Sequence, residues 1–92
     1  MDIEKEIKKL VDTGKIYYGL EQARKSINRK KAKAFIVSSN CPDREFTEKD
    51  NLDGVPIIKF NGKSSELGSL CGKVFDISII TVIEPGESSI LK

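Results

Sequence analysis

Ile3, Ile7, Leu10 and Val11 recur at offsets of four, three and one, drawing an apolar stripe down one side of a helix, and Gly14 stands where the chain leaves it. The spacing predicts a first helix over about residues 2 to 13. Lys15-Ile16-Tyr17-Tyr18 is rich in β-forming residues; Gly19 interrupts, and Leu20, Ala23 and Ile27 mark a second helical stripe with Arg24, Lys25 and Arg29 outside it. Ala34-Phe35-Ile36-Val37 is apolar without a break, as a strand covered on both faces by helices should be, and it ends in the polar loop Ser38-Ser39-Asn40-Cys41-Pro42. Residues 43 to 53 carry only Phe46 and Leu52 as apolar positions, which predicts one or two turns of exposed helix before an Asp53-Gly54 break. Pro56-Ile57-Ile58-Lys59-Phe60 reads as another strand and Asn61-Gly62 as a turn. Ser64 or Ser65 then caps a short helix running to about Lys73, with Glu66 in its first turn. A last strand, Ser78 to Ile83, is closed by Pro85-Gly86.

Helices and strands alternate from end to end, which favours an α/β fold, an α-β-α sandwich with helices on both faces of one sheet. The 92 residues allow one domain, taken as 1–92, with no repeats or linkers. So short a domain buries roughly 60 to 65% of its unfolded surface, which leaves little room for an enclosed cavity. No stretch approaches the ~20 apolar residues of a membrane span. The start, Met-Asp-Ile-Glu-Lys-Glu, lacks the basic and apolar runs of a signal peptide, so a cytoplasmic location is expected.

Charge changes the picture when counted by position. The net charge is only +2, yet residues 1 to 33 hold ten Lys or Arg against five Asp or Glu, while the remainder holds six against nine. The excess gathers in Arg24, Lys25, Arg29, Lys30, Lys31 and Lys33, a stretch without one acid. Such a patch attracts phosphates, although a solvated helix face accounts for the same residues.

Signals of enzymatic chemistry fail on inspection. Gly62-Lys63-Ser64 resembles the end of a phosphate-binding P-loop, but Ile57 stands where that motif needs its first glycine. With no histidine, a nucleophilic Ser or Cys has no ordinary base, and Cys41 and Cys71 cannot build a zinc site; free thiols are expected. The acidic run Asp43, Glu45, Glu48, Asp50 and Asp53 fits a solvated helix better than a calcium loop. Gly68 and Gly72 lie four apart on the predicted fourth helix, where each costs ~1 kcal/mol relative to Ala, so something approaches closely there. No catalytic residue, metal or cofactor is expected.

Thr13-Gly14-Lys15, Gly19, Asn40-Cys41-Pro42, Glu66-Leu67-Gly68 with Cys71-Gly72-Lys73 and Phe75, and Glu84-Pro85-Gly86-Glu87-Ser88 form one constellation. In it the chain resembles, over nearly its full length, the L thirty e branch of the kink-turn RNA-binding superfamily, found in archaeal and eukaryotic large ribosomal subunits. The resemblance implies a three-layer α-β-α sandwich with a four-stranded mixed sheet, three loops converging on a sharply bent ribosomal RNA element, and no enzymatic activity. It also implies a ribosomal location in the cytoplasm, contacts with other ribosomal proteins, and a monomer outside the ribosome.

The RNA-contacting positions that it implies are Lys15, Gly19, Glu21, Gln22, Lys25, Asn40, Pro42, Arg44, Phe75 and Ile77. Gly19 opens the second helix, where free N–H groups and the positive dipole end suit a phosphate and the missing Cβ lets it come close. Lys15 and Lys25 add charge nearby. Asn40 donates and accepts at once, which suits a base edge or 2′-hydroxyl, and Pro42 stiffens its loop; a plainer role for Asn40 is to cap the next helix. Phe75 and Ile77 correspond to an apolar ledge for a stacked base, with ordinary core packing the alternative for Ile77.

Three features depart from the family pattern. Glu21 stands where Asn or Lys is usual, with Gln22 as its substitute; Asp76 replaces a basic residue; and the segment from Asn40 to Pro56 is short and poor in aromatics, which predicts a third helix that is loose or mostly loop. The alternative these departures raise is a non-ribosomal RNA-binding or protein-interaction module of the same fold that has lost RNA specificity.

Overall fold

The computed structural model describes residues 3–90. Helix α1 (Ile3–Thr13) is followed by β1 (Lys15–Tyr18), α2 (Leu20–Asn28), β2 (Ala34–Val37), α3 (Arg44–Glu48), β3 (Asn51–Leu52), β4 (Val55–Lys59), α4 (Ser64–Leu70) and β5 (Ile79–Glu84). Residue 2, included in the predicted first helix, lies outside the described residues.

The strands lie in the order β1-β5-β2-β4-β3. β2 and β4 are parallel, and β5 runs antiparallel between β1 and β2, so the C-terminal ends of β1, β2 and β4 meet the start of β5 at one end of the sheet. Alternation along β2 sorts the core into two layers. Ala34 and Ile36 join Ile80 and Val82 beneath Ile7 and Leu10 of α1 and Leu67 of α4, while Phe35, Val37, Ile57 and Ile79 pack with Ala23 of α2 and Phe46 of α3. Helices therefore cover both faces. Cys41 and Cys71 are free thiols in opposite layers.

Among the described residues the sheet has five strands, not four. Asp53 (φ 56°) and Gly54 (φ 81°) both adopt positive φ, the geometry of a two-residue hairpin turn, and fold Asn51–Leu52 back against Val55–Pro56. Asp-Gly marks a hairpin as well as a break, and here it forms the hairpin.

The third helix is short but firmly held rather than loose. Asp43 caps it by accepting from the Glu45 N–H at 3.0 Å, Phe46 is wholly buried edge-on against Phe35, and Lys59 Nζ donates to the Phe46 and Lys49 carbonyls at 2.6 Å each. One buried aromatic and two caps replace the missing hydrophobic stripe.

Helix α4 ends at Leu70, three residues before the predicted end. Gly72, at φ 73°, follows the C-cap Cys71 and closes the helix: the Lys73 N–H donates to Gly68 O at 2.9 Å and the Gly72 N–H to Ser69 O at 3.0 Å, a Schellman closure. Gly68 is the close approach, because a Cβ there would run into the Phe75 carbonyl. The cap residue is Lys63, not Ser64 or Ser65, and it supplies no side-chain bond. The last strand begins and ends one residue later than predicted.

Candidate nucleic-acid interface

Three chain segments leave the same end of the sheet and are tied to one another by backbone hydrogen bonds. The Gly19 N–H donates to Ile79 O at 3.0 Å, joining the start of α2 to the start of β5. The Ser38 N–H donates to Ser78 O at 2.9 Å and the Ser39 N–H to Gly62 O at 2.8 Å, fixing the loop after β2. The Ile77 N–H donates to Ser64 O at 3.0 Å, holding the Lys73–Ser78 turn on the start of α4. The three loops form one rigid rim.

Asn40 sits at the centre of that rim and answers the question its sequence position raised. Its Oδ1 accepts from the Ser64 N–H at 2.8 Å and from Ser38 Oγ at 3.0 Å. The side chain therefore does cap a helix, α4 rather than α3. Because both contacts fall on the carbonyl oxygen, the Nδ2 donors point away from them, without a partner among the described residues, and Asn40 is exposed. Capping and presentation coexist in one side chain.

Gly19 (φ 95°, ψ 158°) caps α2 with backbone alone, and the volume a Cβ would enter is open. The N–H groups of Leu20, Glu21 and Gln22 take no backbone or side-chain acceptor among the described residues, since intrahelical bonding begins with Ala23 N–H to Gly19 O at 3.2 Å. Glu21 and Gln22 are both exposed there. Glu21 Oε1 lies 3.3 Å from Lys25 Nζ, one turn along, so each offsets part of the other's charge.

Phe75 is 55% exposed and Val74 fully so, an apolar pair standing off the third loop. Ile77 is buried in the α1-side core, so of its two readings the structure gives the ordinary one. Pro42, in the loop after β2, and Arg44, the first residue of α3, are both exposed. Lys15 is not brought to this rim. It pairs in register with Glu84 at the opposite end of β1, because a four-residue strand separates it from Gly19. Arg24 is likewise committed elsewhere, bridging Asp43 at 2.5 Å and Glu45 at 2.9 Å while lying 5.0 Å above the Phe46 ring. These two carboxylates raise its affinity for its proton, and the acidic run is thereby partly structural.

Two contributors escaped the sequence reading. Lys73 Nζ stands 5.2 Å over the Tyr18 ring, linking the third loop to the end of β1; burial raises the Tyr18 hydroxyl's pKa. Ser64 Oγ reaches Asp76 Oδ2 at 3.4 Å, so that carboxylate has a partner at the start of α4. The Cys71-Gly72-Lys73 block carried a signal for the former, whereas nothing local signals a pair twelve residues apart.

Among the described residues no group of His, Cys, Asp and Glu is placed to hold a metal ion, and no helix is long and apolar enough to cross a membrane. Residues 1–92 match the model of the ribosomal protein L7Ae/L30e/S12e/Gadd45 family. The chain is similar to "Large ribosomal subunit protein eL30" of Methanosphaera stadtmanae, 38% identical over 95 residues that span 100% of this chain and 97% of the relative. It is equally similar, at 38%, to the proteins of the same name from Sulfurisphaera tokodaii (97% of this chain, 87% of the relative) and Methanobrevibacter smithii (99% and 95%).

Proposed function

Since the chain belongs to the ribosomal protein L7Ae/L30e/S12e/Gadd45 family, we propose that it is a constituent of the large ribosomal subunit that binds a kink-turn element of ribosomal RNA through the three-loop rim. Its relatives are ribosomal proteins, and the chain is not an enzyme. The observation that carries the reading is the division of labour at Asn40. A rigid loop uses one end of the amide to hold α4 and leaves the other end free as a donor, between an open helix N-terminus and an exposed aromatic. Bent RNA offers what those groups take: phosphates for the Gly19 N–H cluster, a splayed base edge or 2′-hydroxyl for Asn40, and a base face for Phe75. Binding by shape needs no moving part, in keeping with a rim cross-bonded on all sides.

The test is a titration against a short kink-turn RNA beside a fully paired duplex of equal length, with wild type and Asn40→Asp. The aspartate keeps the oxygen that caps α4, removes the NH2 donors and adds one negative charge, whose general repulsion is read from its effect on the duplex. Preference for the kink, weakened tenfold or more by Asn40→Asp at unchanged thermal stability, supports the reading. Equal weak binding to both RNAs would instead favour a protein-interaction module, which the exposed Glu21 carboxylate at the helix mouth recommends as the second reading.

A further inference from the structure

The basic stretch that stood out in the sequence is divided by the fold. Arg24 and Lys25 are engaged with carboxylates on the α2 and α3 surface, while Arg29, Lys30, Lys31 and Lys33 take no acidic partner among the described residues. All four are exposed. They occupy the connection from the end of α2 to the start of β2, where Lys30 turns to φ 56° and the Lys33 N–H donates to Val82 O at 2.7 Å. That is the end of the sheet opposite the rim, and exposed Lys15 stands there too, at the start of β1. The acids at this pole are Glu84, opposite Lys15; Asp12 and Glu87, brought together by the Glu87 N–H to Thr13 Oγ1 bond at 2.9 Å; and Asp53, which with Lys30 lines a groove of about 330 Å³ between α2 and the β3–β4 hairpin. Arg29, Lys30, Lys31 and Lys33 nevertheless lie within five consecutive residues that hold no acid, so the cations are concentrated on the connection while the acids are spread around it.

We infer that this pole is a second RNA-binding surface, one that grips the sugar-phosphate backbone of a plain duplex without regard to sequence or kink, so that one molecule holds two RNA segments at once. Favourable placement of a cation near the negative end of α2 accounts for one of the four side chains, not for all. A cluster without internal ion pairs keeps its field for an external polyanion, and an RNA duplex, with its evenly spaced phosphates, meets several such side chains together. The six residues of β5 separate the poles by about 20 Å. In a molecule measuring 27 × 26 × 22 Å, a short RNA seated on the rim leaves the basic pole uncovered. The surface is thus independent of the proposed kink-turn site, and its failure can be told from the failure of that reading.

The experiment uses the full chain, first free and then saturated with a short kink-turn RNA, titrated with a fluorescent plain RNA duplex between 50 and 200 mM salt. With four phosphate contacts the duplex affinity should fall on the order of a hundredfold over that range, and with only Arg29 remaining by about threefold. The triple variant Lys30→Gln, Lys31→Gln, Lys33→Gln should therefore lose most of its duplex binding at low salt and most of its salt dependence, with unchanged kink-turn affinity as the control for folding. Asp53→Asn, which keeps a residue suited to its positive φ and removes an acid, should strengthen duplex binding. Duplex binding that survives the triple substitution, that disappears once the kink-turn RNA is bound, or that is replaced by binding to anionic vesicles alone would each overturn the inference. If the chain fails to bind the kink-turn RNA, the free protein still tests the basic pole.

Discussion

Gly68 couples the stability of the fold to the position of Phe75, and replacing it with alanine should damage both. In an exposed helix the change would stabilise by about 1 kcal/mol. Here the new Cβ would lie deep inside the Phe75 carbonyl oxygen, 3.2 Å from the Phe75 carbonyl carbon and 3.4 Å from Asp76 Cα. All three atoms are backbone, so no side chain can rotate away, and the 75–76 peptide has to retreat. Overpacking of this kind costs about 1–3 kcal/mol, and the retreat strains the Ile77 N–H to Ser64 bond, worth about 1 kcal/mol more. The net expectation is a loss of about 1–3 kcal/mol, a drop in Tm of roughly 5–25 °C for a domain of this size. Gly72→Ala is the matched control. At φ 73° and with open space around it, it costs about 1–2 kcal/mol through left-handed backbone strain and leaves the Phe75 loop in place. Thermal melts followed by circular dichroism should show both variants destabilised. Kink-turn titrations well below both melting points should show a tenfold or greater loss for Gly68→Ala and none for Gly72→Ala. A Gly68→Ala protein as stable as wild type, or one that binds RNA as Gly72→Ala does, would refute the coupling.

Phe75→Ala should cut kink-turn affinity by about 1–3 kcal/mol with little change in Tm, while Ile77→Ala should cost about 2–5 kcal/mol of stability, as chemical denaturation beside RNA titration will separate. Thr81 is fully buried and its hydroxyl has no partner among the described residues, so Thr81→Val should raise stability by about 1 kcal/mol; a destabilised variant would mean that the hydroxyl is satisfied. The Ser89 N–H at 2.6 Å, with Lys9 and the Ser88 hydroxyl, holds the Glu6 carboxyl below its ordinary range. A depressed carboxylate stabilises above its unfolded pKa of about 4.3 and loses that contribution as pH falls through the folded value. Glu6→Gln should accordingly flatten the acid limb of the stability curve, and an unchanged limb would show the contact to be idle. Burial pushes the Cys71 thiol up to about 11, so alkylation at pH 8, read by mass spectrometry, should run over a hundredfold slower in the native protein than after unfolding.

The fold was legible wherever a period or a run could be read without its neighbours. The α1 stripe, the β1 segment and the unbroken Ala34–Val37 run each depend on local spacing, and each forms as spaced. Misreadings fell where a distant group decides. α4 ends early because Gly72 adopts positive φ and Lys73 closes on Gly68, and its start is capped by an amide twenty-four residues upstream. The fifth strand exists because a two-residue segment borrows its partner from β4, far too short a stretch to show a period of its own. α3 owes its order to Phe46 and to Lys59, one of them a lone apolar position and the other a strand residue.

Charge was the least legible property, since a sequence gives the sign of each side chain and not its company. Arg24 and Lys25 looked identical to Arg29 through Lys33 as a string, yet the fold spends the first two on Asp43, Glu45 and Glu21 and leaves the others without an acidic partner among the described residues. The same sorting changes the meaning of the acids. Glu21 and Asp76 stood out as departures that should repel RNA, but one faces Lys25 at 3.3 Å and the other receives the Ser64 hydroxyl at 3.4 Å. An exposed pair of this kind is worth little to stability, generally under 1 kcal/mol, so it opens readily when a stronger partner arrives. Glu21 is therefore a local counterion rather than a fixed barrier: under the proposed mode of binding, RNA at the α2 N-terminus would free Lys25 for a phosphate at small cost, with the Glu21 carboxylate turning to solvent or accepting from a base amine. Replacing Glu21 with Gln should then improve kink-turn affinity modestly and reduce its dependence on Lys25, whereas a large gain would mean that the carboxylate had been opposing the RNA outright.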